Sequence, residues 1–140
     1  MSIAHRDRWF AYVKNILIVD RDLGFVFWLG QILDATGYVA IPAKGIAEAA
    51  EIVAMLRLQI DVLVAAPAER GLRNFVEKLR FNSPDLHRVN LASEGSSALV
   101  RSPEGVWKRK TRQRDEAAKA EWLELIHSLN GDCVASASRG

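Results

Sequence analysis

The chain has 140 residues, of which 49% are hydrophobic and 26% charged, a balance that suits one globular domain and argues against wholesale disorder. Its net charge of +2 is too small to indicate nucleic acid binding, and its one cysteine, Cys133, excludes an intramolecular disulfide framework and a cysteine-based zinc site. His5, His87 and His127 lack the spacing of metal ligands, so we expect no metal and no cofactor.

The sequence contains no signal for membrane insertion or export. No apolar run approaches the roughly 18 residues of a membrane span. The N-terminal stretch MSIAHRDRWFAYVKN lacks the apolar segment of a secretory signal. We therefore expect a cytoplasmic protein without membrane attachment, made of an N-terminal arm (1–14), one domain (15–131) and a flexible tail (132–140).

The first half of the chain alternates predicted strands and helices. Asn15–Val19 is an apolar run that ends at acidic residues, which is typical of a strand buried on both faces of a parallel sheet. A helix follows, which Asp22 caps and Gly37 ends. Tyr38–Ile41 predicts a second strand, closed by Pro42. The apolar stripe of the first helix consists of Val26, Leu29, Ile32 and Leu33.

The second half continues the alternation, which indicates βαβ crossovers in a flavodoxin-like, doubly wound sheet of five parallel strands. The stretch between Ala92 and Lys110 is rich in Ser, Gly and Pro, so the helix after the fourth strand is predicted to be shortened or missing. The remaining predicted elements are a helix with Ile46, Ala49, Ala50, Val53 and Leu56 on one stripe, the strand Ile60–Ala65, a helix with Leu72, Val76 and Leu79, the strands Arg88–Ala92 and Gly105–Arg109, and a helix with Ala118, Trp122, Leu125, Ile126 and Leu129.

Five phrases, in this order along the chain, resemble the receiver domain of two-component response regulators. ILIVDRD resembles the first strand with its acidic pair, and LDATGYVAI resembles the end of the first helix and the second strand. IDVLVAA resembles the third strand, GLRNFVEKLR the third helix and VWKRKT the fifth strand. The resemblance implies a receiver (βα)5 fold. In that family, an aspartate accepts a phosphoryl group beside a Mg²⁺ ion held by acidic side chains.

The acceptor and metal positions of the family are altered in this chain. Ala66 stands at the acceptor position and offers no nucleophile. The acidic pair becomes Asp20 and Arg21, and a guanidinium disfavours Mg²⁺, which takes oxygen ligands. We expect Asp22 to cap the first helix and Asp20 to pair with Arg21 or Lys110 rather than to hold a cation.

The remaining positions of the family's site are also altered. The hydroxyl position is Ala92, and the neighbouring Ser93 faces the other way if the strand continues. Lys110 matches the essential lysine, but Thr111 replaces the proline that follows it, so we expect a trans peptide and a re-aimed lysine. Trp107 occupies the position of a switch aromatic, where we expect a structural role.

These substitutions predict a pseudo-receiver: a phosphorylation-independent protein-interaction module in bacterial signal transduction, and no enzyme. A signalling protein such as a histidine kinase or another regulator is the expected partner. Two alternatives stay open. The first is a phosphorylatable receiver with a displaced acceptor, Asp61 or Glu69, although Asp61 lies at the start of its strand. The second is a small nucleic-acid-binding protein that uses the basic run Lys108–Arg114, against the expectation of a solvated edge strand.

Aromatic residues crowd the N-terminal arm and the first helix. Successive helical residues are rotated by about 100°, so the rings of Phe25, Phe27 and Trp28 in the first helix cannot all face the sheet, and at least one points outward. Aromatic side chains are enriched at interfaces, and closed two-fold dimers are common, so we expect a homodimer. Packing of the N-terminal arm onto the helix is the alternative explanation of these rings, and the two are compatible. The interface candidates are Trp9, Phe10, Phe25, Phe27 and Trp28.

Overall fold

The computed structural model describes residues 14–92, 100–102, 105–110 and 114–130. The elements within these ranges are β1 (Asn15–Val19), α1 (Leu23–Ala35), β2 (Val39–Ala43), α2 (Ile46–Leu56), β3 (Val62–Ala65), α3 (Leu72–Asn82), β4 (His87–Ala92), β5 (Val100–Ser102), β6 (Gly105–Arg109) and α4 (Glu116–Leu129). The six described strands form one sheet in the order β2-β1-β3-β4-β6-β5, in which β5 runs antiparallel to β6 and all other pairs are parallel.

The predicted flavodoxin-like sheet of five parallel strands is confirmed. Along β1, Ile16 and Ile18 pack on one face with α1 and α4, and Leu17 and Val19 pack on the other face with α2 and α3. All four side chains are fully buried, which explains why the strand is a continuous apolar run. Within the described ranges, no helix combines the length and apolar character needed to cross a membrane. The predicted tail and, except for Lys14, the predicted arm lie outside the described residues.

Helix α1 begins and ends where the sequence predicts. The Asp22 carboxylate accepts a hydrogen bond from the Phe25 amide (3.2 Å), which satisfies one of the unpaired donors of the first turn. After the helix, Gly37 adopts a φ of 96°, a left-handed conformation that favours glycine. The buried face consists of the predicted stripe together with Phe25.

Strand β2 is longer than predicted, because it runs through Pro42 to Ala43. The expectation that Pro42 closes the strand is wrong. Proline cannot donate to a neighbouring strand, but β2 is the outer strand of the sheet and needs no donor on its free side. Strand β3 is shorter than predicted and starts at Val62.

Strand β5 was not predicted from the sequence. The described residues between β4 and β6 form this short strand and no helix, which agrees with the predicted shortened or missing helix. Gly105 opens β6 with a φ of 126°, and a Cβ there would lie 2.5 Å from the carbonyl oxygen of Arg88. Glycine is therefore required for β6 to approach β4 this closely.

Candidate functional site

The carboxyl ends of the parallel strands bring the predicted site residues to one edge of the sheet. Val19 of β1 pairs with Ala65 of β3, so the next residues, Asp20 and Ala66, follow adjacent strands. Lys110 follows β6 at the same edge. In open α/β sheets, ligands bind at this edge where the chain reverses its strand order, which here lies between β1 and β3.

Asp20 and Lys110 form the central ion pair of the edge. The Lys110 Nζ atom donates to Asp20 Oδ2 at 2.8 Å and lies 3.9 Å from Asp22 Oδ2. The Asp20 side chain is 12% exposed and that of Lys110 34% exposed. The Asp20 amide also donates to the Ala43 carbonyl oxygen of β2 (3.1 Å). Of the two partners expected for Asp20, Lys110 is therefore the one that the structure places against it.

Asp22 joins the same cluster from the start of α1. Its Oδ1 atom caps the helix, and its Oδ2 atom accepts a hydrogen bond from Arg114 Nη2 at 3.3 Å. Lys110 Nζ also lies 5.7 Å from the centre of the Phe25 ring, within the range of a cation–π contact. Sequence reasoning did not identify Arg114 as a site residue, because its only signal was membership of the basic run.

The other positions of the site carry no reactive group. Ala66 is half-buried and packs against the core beneath α1, and Ala92 is buried. Arg21 is exposed beside Asp20. A methyl group at the end of β3 can neither attack a phosphoryl group nor bind a cation. Ser93 lies outside the described residues, as does the predicted trans peptide between Lys110 and Thr111.

The carboxylates of the edge face cations of the protein itself. Lys110 and Arg114 neutralise Asp20 and Asp22, and Arg21 adds a further positive charge nearby. The part of the chain that the structure describes contains no group of three or more His, Cys, Asp or Glu side chains arranged to bind a metal ion. A divalent cation here would have to displace Lys110 from Asp20.

Trp107 and Lys110 lie on opposite faces of the sheet. The Trp107 ring is partly buried and lines a groove with Arg88, Asn90 and residues of α3. Lys110 instead contacts Phe25 of α1 on the other face. Trp107 therefore does not lie against the cluster, and its structural role stays a prediction.

The interface candidates divide between core and surface. Phe25 is fully buried and its ring packs 5.7 Å from that of Trp122, so it belongs to the core and the interpretation as an interface residue is wrong. Phe27 is 54% exposed. Trp28 is partly buried against the core, with its ring 6.3 Å from that of Phe25. Trp9 and Phe10 lie outside the described residues.

The residues of the two alternatives lie only partly at this edge of the sheet. Asp61 Oδ2 accepts a hydrogen bond from the Asn15 amide (2.8 Å) at the amino edge of the sheet, opposite to the site. Glu69 lies in the connection from β3 to α3, half-buried. In the basic run, Lys108 donates to Glu121 at 2.9 Å and lies over the ring of Trp122.

No protein-family model matches the chain, and no curated protein matches it. Several solved structures are similar in fold, among them three receiver domains. A CheY-like response regulator receiver domain protein from Methanospirillum hungatei is 20% identical over 86% of this chain and 95% of that chain, with a TM-score of 0.58. The chemotaxis response regulator CheY4 of Vibrio cholerae is 18% identical over 81% and 98%, with a TM-score of 0.56. A receiver domain protein from Clostridium thermocellum is 17% identical over 81% and 99%, with a TM-score of 0.53. The chain has the receiver fold.

Proposed function

We propose that this chain is a pseudo-receiver, a cytoplasmic protein-interaction module of bacterial signal transduction that works without phosphorylation and catalyses no reaction. One observation carries the proposal. At the edge where receivers accept a phosphoryl group, the residue after β3 is Ala66, and the carboxylate after β1, Asp20, is bound by Lys110.

The first argument concerns the nucleophile. Formation of an acyl phosphate requires a carboxylate oxygen aligned with the phosphorus atom. Ala66 has no such oxygen, and Asp20 accepts a hydrogen bond from Lys110 at 2.8 Å. Asp61, one candidate for a displaced acceptor, accepts a hydrogen bond from the Asn15 amide at the opposite edge of the sheet.

The second argument concerns the metal. Mg²⁺ needs oxygen ligands in near-octahedral geometry and is bound through carboxylates. At this edge, Lys110 and Arg114 are paired with the two carboxylates, and the exposed Arg21 follows Asp20 directly in the chain. Lys110 and Arg114 supply fixed positive charge to the carboxylates, so the site is neutralised in the absence of any ligand.

The same ion pairs weaken the nucleic acid alternative. Counterions condensed on nucleic acid phosphates are released only where Lys or Arg side chains that are free to contact the phosphates replace them. Lys108, Lys110 and Arg114, three of the five basic residues of the run, are already paired with Glu121, Asp20 and Asp22. A signalling protein, such as a histidine kinase or another regulator, is the partner that suits a receiver-type module.

Amide NMR spectra recorded with Mg²⁺ and beryllofluoride, a phosphoryl mimic, test the proposal. We expect the resonances of Asp20, Ala66 and Lys110 to stay unchanged as Mg²⁺ and then beryllofluoride are added. A phosphorylatable receiver domain in the same buffer is the positive control. Saturable shifts that cluster around Asp20 and Ala66 would overturn the proposal.

A further inference from the structure

A groove of about 640 Å³ lies between α2 and α3, away from the carboxyl edge of the sheet. Ala50, Val53 and Ala54 line it from α2, and Phe75 and Leu79 line it from α3. Ala50 and Ala54 are one helical turn apart and exposed, and their methyl groups leave room that larger side chains would fill. The groove is therefore apolar and open, with small residues along one wall.

The charged residues of the groove have a single sign. Arg57 and Lys78 line it, one from the end of α2 and one from α3, and no carboxylate of the described residues does. Both are exposed, and neither forms an ion pair with a described residue. The two neutral polar residues of the lining are already joined, because Gln59 Nε2 donates to the Asn82 carbonyl oxygen at 3.2 Å. The positive charge at the groove thus lacks a partner within the described chain.

Arg57 holds its position at a cost in backbone conformation. It ends α2 in the left-handed region (φ 52°, ψ 46°), and among the described residues it is the one non-glycine residue with a positive φ. Glycine is usual at such helix ends because a Cβ is strained there. The backbone amide of Arg57 would bond to Val53 equally well from a glycine. A binding role for the Arg57 guanidinium at the groove would explain why arginine stands at this strained position instead of glycine.

We propose that this groove binds an amphipathic helix of a partner protein, with apolar side chains against Ala54 and Phe75 and carboxylates paired with Arg57 and Lys78. Helix-in-groove recognition places apolar side chains of one helical face in such a cleft. Opposite charges at its border then fix orientation and speed association. The inference supplies a binding surface for the interaction module proposed above and rests on that proposal.

A display library of helical peptides of about four turns, randomised on both faces, is the probe. Panned on the purified full chain, it should enrich peptides that combine an apolar stripe with flanking Asp and Glu. An enriched peptide should bind the double variant Arg57→Glu/Lys78→Glu at least about tenfold more weakly, since charge reversal at a partly desolvated pair is worth that much. The matched control is Arg70→Glu, an exposed charge reversal outside the groove, which should leave the affinity unchanged.

The variant Arg57→Gly separates binding from structure. Removing the strain should raise the Tm by about 2–5 °C, while the enriched peptide binds several-fold more weakly. A merely structural Arg57 would change the Tm without changing the affinity. The inference is overturned if no peptide is enriched, if the enriched peptides lack acidic residues, or if the double variant binds them normally. A dimer that Ala54→Arg dissociates would also overturn it, because a second copy would then be the occupant. None of these results alters the NMR test, so the two proposals can fail separately.

Discussion

Replacing Lys110 by methionine removes the cation from the site and keeps the apolar stem of the side chain. In the unaltered protein the ammonium is 2.8 Å from Asp20 Oδ2, and the Asp20 side chain is only 12% exposed. Lys110→Met would leave that carboxylate without its partner in a poorly hydrated position. We therefore expect the variant to fold with a lower free energy of unfolding.

The structure sets the size of this effect. A hydrogen bond to a charged group contributes about 1.5–3 kcal/mol to stability. Removing the partner of a carboxylate costs more free energy when the carboxylate is buried than when it is exposed. Lys110 is 34% exposed, and water can reach the vacated position, so the lower part of that range applies. We expect a loss of about 1.5–2 kcal/mol for Lys110→Met. For Asp20→Asn we expect about 0.5–1 kcal/mol, because the amide oxygen still accepts and Asp22 Oδ2 remains 3.9 Å from the ammonium.

Urea unfolding of the two single variants and the double variant, followed by circular dichroism, measures these losses. The coupling energy in the double-mutant cycle should be about 1 kcal/mol, with the slope of the transitions unchanged. A Lys110→Met variant within about 0.5 kcal/mol of the unaltered protein would refute the reasoning, since an exposed surface pair typically contributes about that much. Additive losses in the cycle would also refute it, because they would show that the two side chains do not interact.

Three further predictions follow from the site and the surface. Ala66→Asp should remain unlabelled by acetyl phosphate and Mg²⁺ in intact mass spectra, because Arg21 and Lys110 still disfavour the metal; a labelled variant contradicts this. The unaltered chain should sediment as a dimer at tens of micromolar, a concentration of the order that saturates a dimer with a micromolar dissociation constant. Phe27→Glu, at a position that is 54% exposed, should give a folded monomer, and a monomeric unaltered chain would contradict this prediction. Asp22→Ala should lower the free energy of unfolding by about 1–1.5 kcal/mol in urea titrations through loss of the cap and of the Arg114 contact; unchanged stability would show that the cap contributes little.

The apolar strands and the capped helices follow from local rules, so the sequence predicted them. The run Asn15–Val19 and the cap at Asp22 each depend on residues close in the chain. The site positions followed from their order along the family's pattern. The pairing of Asp20 with Lys110 joins residues 90 apart, and the sequence left it open between Lys110 and Arg21.

Features that depend on partners across the sheet were harder to predict. Strand β5 exists because Val100–Ser102 pairs with β6, and its polar, short sequence carries no strand periodicity of its own. Local rules predict that Pro42 ends its strand, because neighbouring residues do not show that β2 lies at the outer edge of the sheet. The orientation of Phe25 and Phe27 did carry a local signal, because Phe25 precedes Leu29 and Ile32 of the predicted stripe by four and seven residues. Phe27 falls on the opposite face of the helix and is exposed. In β4, the alternation of Arg88 and Asn90 with Val89 and Leu91 does indicate that one face of the strand is polar, and this is the face that lines the groove beside Trp107.

The intact mass of the protein after incubation with acetyl phosphate and Mg²⁺ tests the central claim most directly. A receiver domain known to accept phosphate from the same donor shows that the reaction conditions work. Because Ala66 has no nucleophile and Lys110 is bound to Asp20, we predict that the mass of this chain stays that of the unmodified protein. An added phosphoryl group on a substantial fraction of the molecules, dependent on Mg²⁺, would contradict the claim.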